Sequence, residues 1–167
     1  MKKRLAVAFT GPSNSGKTTL VLKVARKLIN EHMKKVAIVK HDPSDKARFD
    51  VEGKDSFKFS QTGAEVIVTS PTRTTYFSKK SEDLNEMIRL FDDFDIMLVE
   101  GLKSLDLPRI GIFRNKLDED YFEYIDAMAL DESVNIKDYD LPKQIDLLEL
   151  NNPENVISWI LKHAKEV

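Results

Sequence analysis

The sequence contains no cysteine. That absence excludes disulfides, thiolate metal centres and cysteine nucleophiles, and it fits a cytoplasmic chain. Long apolar runs are missing too. None approaches the ~20 residues that a membrane span requires. Met1-Lys2-Lys3-Arg4 leads into a short apolar stretch and not into a signal-peptide core. No membrane partner is expected. An excess of one charge is also lacking: 26 basic residues against 28 acidic ones leave a net charge of −2. Bulk electrostatics therefore offers nothing to a nucleic acid. No spacing of histidines and acids points to zinc. What remains is an ordinary globular balance, 41% hydrophobic and 32% charged over 167 residues. A chain of that length is read as one domain, 1–167, able to bury about two-thirds of its unfolded surface.

One segment stands out. Gly11-Pro12-Ser13-Asn14-Ser15-Gly16-Lys17-Thr18 matches the P-loop pattern, a glycine, four residues, then Gly-Lys-Thr. The apolar run Leu5-Ala6-Val7-Ala8-Phe9 precedes it and a helical pattern starts near Lys17. Glycines let the backbone curl so that successive N–H groups point at phosphate oxygens. The following helix adds its free N–H groups and positive dipole end. Lys17 is expected on the β/γ-phosphates and Thr18 on Mg²⁺.

Val21, Val24, Ala25 and Leu28 give that helix one apolar face. Strands are predicted at Val36–Val39, Ala64–Thr69, Thr74–Phe77, Ile96–Val99 and Arg109–Phe113, with weaker ones at Ile125–Leu130 and Ile145–Leu148. A polar stretch runs from Pro43 to Lys54, and a short helix from there to about Gly63. Ser81 reads as an N-cap, with Glu82 and Asp83 in the first turn, for a helix with Leu84, Met87, Ile88 and Phe91 on one face. Asn152 and Pro153 open a last helix. Alternating strands and helices predict an α/β fold: a single, mostly parallel P-loop NTPase sheet with helices on both faces.

In such a sheet, ligands bind at the carboxyl ends of the strands. Glu100, after Ile96–Val99, is the expected second metal-side carboxylate with Thr18. Lys40-His41-Asp42 ends the second strand. Asp42 suits a metal-bound water or a nucleophile, and His41 a phosphate or second ligand, but an Asx-type turn before Pro43 explains them equally. Asn115-Lys116-Leu117-Asp118 matches the guanine-reading tetrapeptide Asn-Lys-x-Asp. It also lies in an acidic patch that a solvated loop would show, and the expectation is that the base is read elsewhere.

Four segments in order carry a resemblance: the P-loop, Lys40-His41-Asp42, Gly53-Lys54-Asp55-Ser56, and Val99-Glu100-Gly101-Leu102-Lys103. Together they resemble the molybdopterin-guanine dinucleotide biosynthesis adaptor (MobB) family over nearly the whole chain. The resemblance implies a GTP- and Mg²⁺-binding homodimer that assists the molybdenum cofactor guanylyltransferase and hydrolyses GTP weakly. It implies that Gly11 to Thr19 (Thr19 included) hold the phosphates, with Glu100 and Lys103 flanking them. It groups His41, Asp42, Asp50, Lys54, Asp55, Ser56 and Arg73 near the nucleotide or a second ligand, molybdopterin or its guanine dinucleotide. Lys17, Asp42 and Glu100 are the expected catalytic groups. Two departures stand out: no second histidine follows His41, and Glu52 precedes Gly53 where many members have proline. The competing function is a small-molecule kinase or ATP-dependent ligase on the same core, although no arginine-rich lid is present.

Overall fold

The computed structural model describes residues 3–47, 49–80, 83–91 and 93–167. The chain runs β1 (Leu5–Thr10), α1 (Lys17–Asn30), β2 (Val36–Lys40), α2 (Asp55–Gln61), β3 (Val66–Ser70), β4 (Arg73–Phe77), α3 (Leu84–Leu90), β5 (Ile96–Glu100), β6 (Arg109–Ile112), β7 (Ala127–Leu130), β8 (Asp146–Glu149), α4 (Pro153–His163) and β9 (Lys165–Glu166). Short 3₁₀ turns at Glu119–Tyr124 and Ile136–Asp138 precede β7 and β8. Two compact units result, Met1–His41 with Phe91–Val167, and Asp42–Leu90.

The first unit holds one sheet in the order β2-β5-β1-β6-β7-β8, parallel throughout, with β9 antiparallel to the start of β1. β5 is buried along its whole length, as a parallel strand covered on both faces should be. Alternation sends Val7, Phe9, Ile96, Leu98, Ile110 and Ile112 to one face, beneath α1 and α4. α1 meets them with Leu20, Val21, Val24 and Leu28, and α4 with Val156, Ile157 and Ile160, the spacing of a single helical stripe. Each fully buried aliphatic side chain contributes about 1.5–3 kcal/mol, so this layer anchors the sheet. Phe113, Leu117, Ile125 and Met128 point the other way, where Tyr121 and Phe122 of the first 3₁₀ turn pack on them.

α4 starts as its sequence predicts. The Asn152 side chain accepts the Asn155 N–H at 3.3 Å, and Pro153 takes the first turn. Trp159 is buried in the same helix, donates from Nε1 to Asp146 Oδ2 at 2.8 Å, and stacks on His163 with ring centroids 4.8 Å apart.

The second unit differs from the single sheet expected. β3 and β4 form their own antiparallel hairpin, from Val66 opposite Phe77 to Ser70 opposite Arg73. A two-residue connection, Pro71-Thr72, leaves room for a hairpin and none for a crossover helix. Its side chains are largely exposed, Ile67 at 63% and Tyr76 at 40%. Ser81 and Glu82 lie outside the described residues. The first turn of α3 is closed by Asp83 and Glu86 instead. The Glu86 N–H donates to Asp83 Oδ1 at 2.9 Å and the Asp83 N–H to Glu86 Oε2 at 3.1 Å, a reciprocal capping box.

Arg109 opens β6 and is only 2% exposed. Its guanidinium donates to the carbonyls of Gly101 (3.1 Å), Leu102 (3.1 Å) and Leu105 (2.9 Å). Burial pushes its pKa below the ordinary arginine value, against the opposing charge of Asp126. The segment after β5 has no ladder of its own, so this fork satisfies its carbonyls. Arg109→Met should destabilise the fold by about 2–4 kcal/mol in urea unfolding. Arg109→Lys should recover little of that, because one ammonium cannot replace a planar fork.

Candidate functional site

β1 ends in the middle of the sheet, and its neighbours β5 and β6 end on either side of it. Three loops therefore converge at one place: the P-loop after β1, Glu100-Gly101 after β5 and residues 113–118 after β6. The P-loop backbone follows the conformations its sequence demands. Gly11 has φ 141°, and a Cβ there would sit 2.4 Å from the Ile112 carbonyl oxygen. Gly16 caps α1 in the left-handed region at φ 97°, where side chains are disfavoured. The Ser15 hydroxyl is buried and finds no hydrogen-bond partner among the described residues. Such an atom marks a place where a ligand can supply the missing partner.

Lys17 turns back over the loop, donating to the carbonyls of Gly11 at 2.9 Å and Pro12 at 2.6 Å. Partial burial pushes its pKa below the ordinary lysine value, while Glu100 pulls it up and Lys40 down. The Thr18 hydroxyl donates to the Glu100 carboxylate, 3.3 Å from Oε1 and 3.2 Å from Oε2. Lys40 donates to Oε1 at 3.0 Å. Register explains the cluster: Glu100 lies opposite Lys40 on β2 and opposite Phe9 on β1. Glu100 itself is 9% exposed. A cavity of about 470 Å³ is lined by Ser13, Asn14, Gly16, Lys17, Thr18, Thr19 and Glu100. A hydroxyl and a carboxylate converging on one point are the hard oxygen donors that Mg²⁺ prefers. Thr18 and Glu100 thus fit that ion.

His41 donates its N–H to the Glu100 carbonyl at 2.9 Å, and its exposed side chain lies against Gly101. Lys103 does not line the phosphate cavity. Its ammonium lies 4.0 Å from the Tyr121 ring centroid and 5.5 Å from that of Tyr124, a cation–π arrangement. Asp42 belongs to the second unit. Its carboxylate accepts the N–H groups of Ser44, Lys46 and Ala47 at 3.3, 2.7 and 2.6 Å, the Asx-type turn. Ser56 donates to Asp50 Oδ1 at 2.8 Å, and Asp50 Oδ2 is buried with no partner among the described residues. Lys54 sits at the N-cap of α2, and Asp55 in its first turn takes a bond from Lys58 at 3.3 Å. Arg73 starts β4 and is exposed.

Lys40 was legible as a strand-end residue but not as the counter-ion of Glu100. The signal lay in the pairing of β2 with β5, which no local pattern announces. Arg114, which pairs with Asp131 at 3.1 Å and reaches toward Gly16, was not singled out at all.

Comparison with known proteins adds to this geometry. The sequence model of the family described as "Molybdopterin guanine dinucleotide synthesis protein B" (MobB) matches residues 6–131. The chain belongs to the MobB family. A Haemophilus influenzae molybdopterin-guanine dinucleotide biosynthesis adapter protein is 32% identical to this MobB chain over 161 residues, 92% of the chain and 86% of the relative. A Methanocaldococcus jannaschii relative is 29% identical over 139 residues, 79% of the chain. The match spans 57% of that longer protein's length. The crystal structure of Bacillus subtilis MobB superposes with a TM-score of 0.75 at 21% identity, covering 96% of this chain and 98% of that one. That likeness confirms the fold, an α/β architecture around a mostly parallel sheet.

Gly11 is the hinge between β1 and the MobB P-loop. Gly11→Ala should lower stability by about 1–3 kcal/mol in chemical denaturation, because a Cβ cannot share space with the Ile112 carbonyl. An unchanged midpoint would contradict the tight packing of loop on β6.

Proposed function

We propose that this MobB-family chain is a nucleotide-binding adaptor in molybdopterin guanine dinucleotide synthesis. In this role it binds GTP with Mg²⁺ and assists the cytoplasmic guanylyltransferase that attaches GMP to molybdopterin. The observation that carries the proposal is the meeting of Thr18 and Glu100 at the mouth of a P-loop closed by Lys17. When phosphates bind, Lys17 exchanges two loop carbonyls for β/γ-phosphate oxygens, and the loop N–H groups and the start of α1 hold the rest. Bound Mg²⁺ would offset the negative charge of the phosphate oxygens. Thr18 and Glu100 would be its protein-side partners. The Lys40 ammonium, 3.0 Å from Oε1, holds the Glu100 carboxylate in place beside the cavity. Arg109 is not presented to this cavity, and Arg114 is engaged by Asp131. With no cation free to stabilise phosphoryl transfer among these, hydrolysis should be slow.

The second unit supplies the adaptor's remaining contacts in this proposal. Its exposed apolar side chains, Phe49 at 84% and Ile67 at 63% among them, suit a homodimer contact. Lys54, Asp55, Ser56 and Arg73 are the groups of this unit proposed to meet molybdopterin or its guanine dinucleotide, with cations on the phosphate and Asp55 and Ser56 giving direction.

Lys17→Ala should weaken triphosphate binding by at least ~1.5–3 kcal/mol, read by titration calorimetry, with an unchanged circular dichroism spectrum. Glu100→Gln keeps shape but removes charge, so the Mg²⁺ concentration needed for half-maximal binding should rise. A wild-type Mg²⁺ curve would remove Glu100 from the metal side. Lys54→Ala combined with Asp55→Ala should leave GTP affinity intact and reduce stimulation of dinucleotide synthesis in a reconstituted assay with the guanylyltransferase. Undiminished stimulation would take the segment out of the adaptor's working surface.

A further inference from the structure

The loop after β6 borders the P-loop. It is placed by topology: β6 is the neighbour of β1, and Gly111 lies opposite Thr10, just before the P-loop. A cavity of about 730 Å³ opens between residues 12–15 of the P-loop and residues 114–119. That is within the range of small-molecule sites, roughly 300–1,000 Å³. Ser13 and Asn14 line both this cavity and the phosphate cavity. A ligand with its phosphates in one therefore has its next moiety directed toward the other. The orphan hydroxyl of Ser15 belongs to the same wall.

The far wall is a built loop. Leu117 is 5% exposed and packs with Phe113, Ile125 and Met128. Its N–H donates to the Tyr139 hydroxyl at 3.2 Å, and the Asn115 N–H donates to Ser133 Oγ at 2.7 Å. The Ser133 hydroxyl in turn donates to Asp131, the partner of Arg114. Asn115 holds φ 64°, a conformation asparagine tolerates better than most residues. Burying Leu117 as an anchor leaves Asn115, Lys116 and Asp118 lining the cavity. Asp118 is half-buried. Its Oδ1 accepts the Asp120 N–H at 3.3 Å, and no hydrogen bond among the described residues engages Oδ2.

We propose that Asp118 reads the base of the bound nucleotide and selects guanine. This rests on the nucleotide-binding function proposed above and replaces the sequence expectation that the base is read elsewhere. A carboxylate only accepts. Guanine presents two adjacent donors on one edge, the ring N1–H and the exocyclic amine. Adenine presents an acceptor at ring N1, which faces the carboxylate lone pairs without a bond. Hypoxanthine keeps the N1–H but lacks the amine. Xanthine carries a carbonyl in place of the amine, which repels a carboxylate and suits an amide.

Titration calorimetry of the full chain with GTP, ITP, XTP and ATP in Mg²⁺ tests this. The wild type should bind GTP at least about tenfold more tightly than ITP, the scale of one lost bond to a charged acceptor. Asp118→Asn should lose at least about tenfold in GTP affinity and gain a similar factor for XTP, with ATP nearly unchanged. Asparagine also accepts at a cap position, so the turn at Asp120 is preserved. Equal GTP and ITP binding by the wild type overturns the proposal without involving a variant. So does an Asp118→Asn chain that keeps the wild-type preference, or one that loses all four nucleotides together. If instead Lys17→Ala binds every nucleotide as the wild type does, nucleotide binding at the P-loop itself fails, and the base assignment falls with it.

Discussion

A buried carboxylate organises this molecule. Glu100 sits at the end of a strand with no exposed residue, where an unpaired charge would cost several kcal/mol. Two groups relieve it, the Lys40 ammonium and the Thr18 hydroxyl. Neither is close in sequence. Lys40 arrives because β2 pairs with β5, and Thr18 because β1 pairs with β5 on the other side and hands the chain to α1. Strand order, register and the start of the first helix are thus tied to one charge.

The same charge organises the chemistry. It pulls up the pKa of Lys17, which burial and Lys40 depress, while the Gly11 and Pro12 carbonyls hold the ammonium over the loop. It also turns a helix-start hydroxyl toward the cavity. On the other side of β1, the loop after β6 is fixed by different means, an apolar anchor at Leu117 and hydrogen bonds from Ser133 and Tyr139. The P-loop lies between an electrostatic wall and a packed one. A ligand that needs both a polarised phosphate site and a shaped recognition surface finds them on adjacent strand ends.

Much of this could be read from the chain. The P-loop, the apolar run ending at Glu100 and the Asn152-Pro153 helix start are local patterns, and each falls within a residue or two of its expected place. Features set by long-range pairing were not legible. Arg109 looks like the polar first residue of a strand, yet its guanidinium serves carbonyls that lie before it in the chain. β3 and β4 have strand composition, but composition does not say which sheet a strand joins. Ser81 is a good cap by type, while the box observed uses Asp83 and Glu86, whose reciprocal bonds satisfy two backbone groups. β9 is two residues long and is specified only by its pairing with β1. Asp42 offered two readings, and its bonds to the following turn show how it is held in its own loop.

The lone tryptophan gives the molecule an optical gauge. Trp159 is clamped between Asp146 and the His163 ring, in a helix that lines neither the phosphate cavity nor the one beside it. Its emission therefore registers whether α4 is docked on β8, and its environment is shared with no ligand at the P-loop. Indole fluorescence reads the integrity of the scaffold separately from the occupancy of the site.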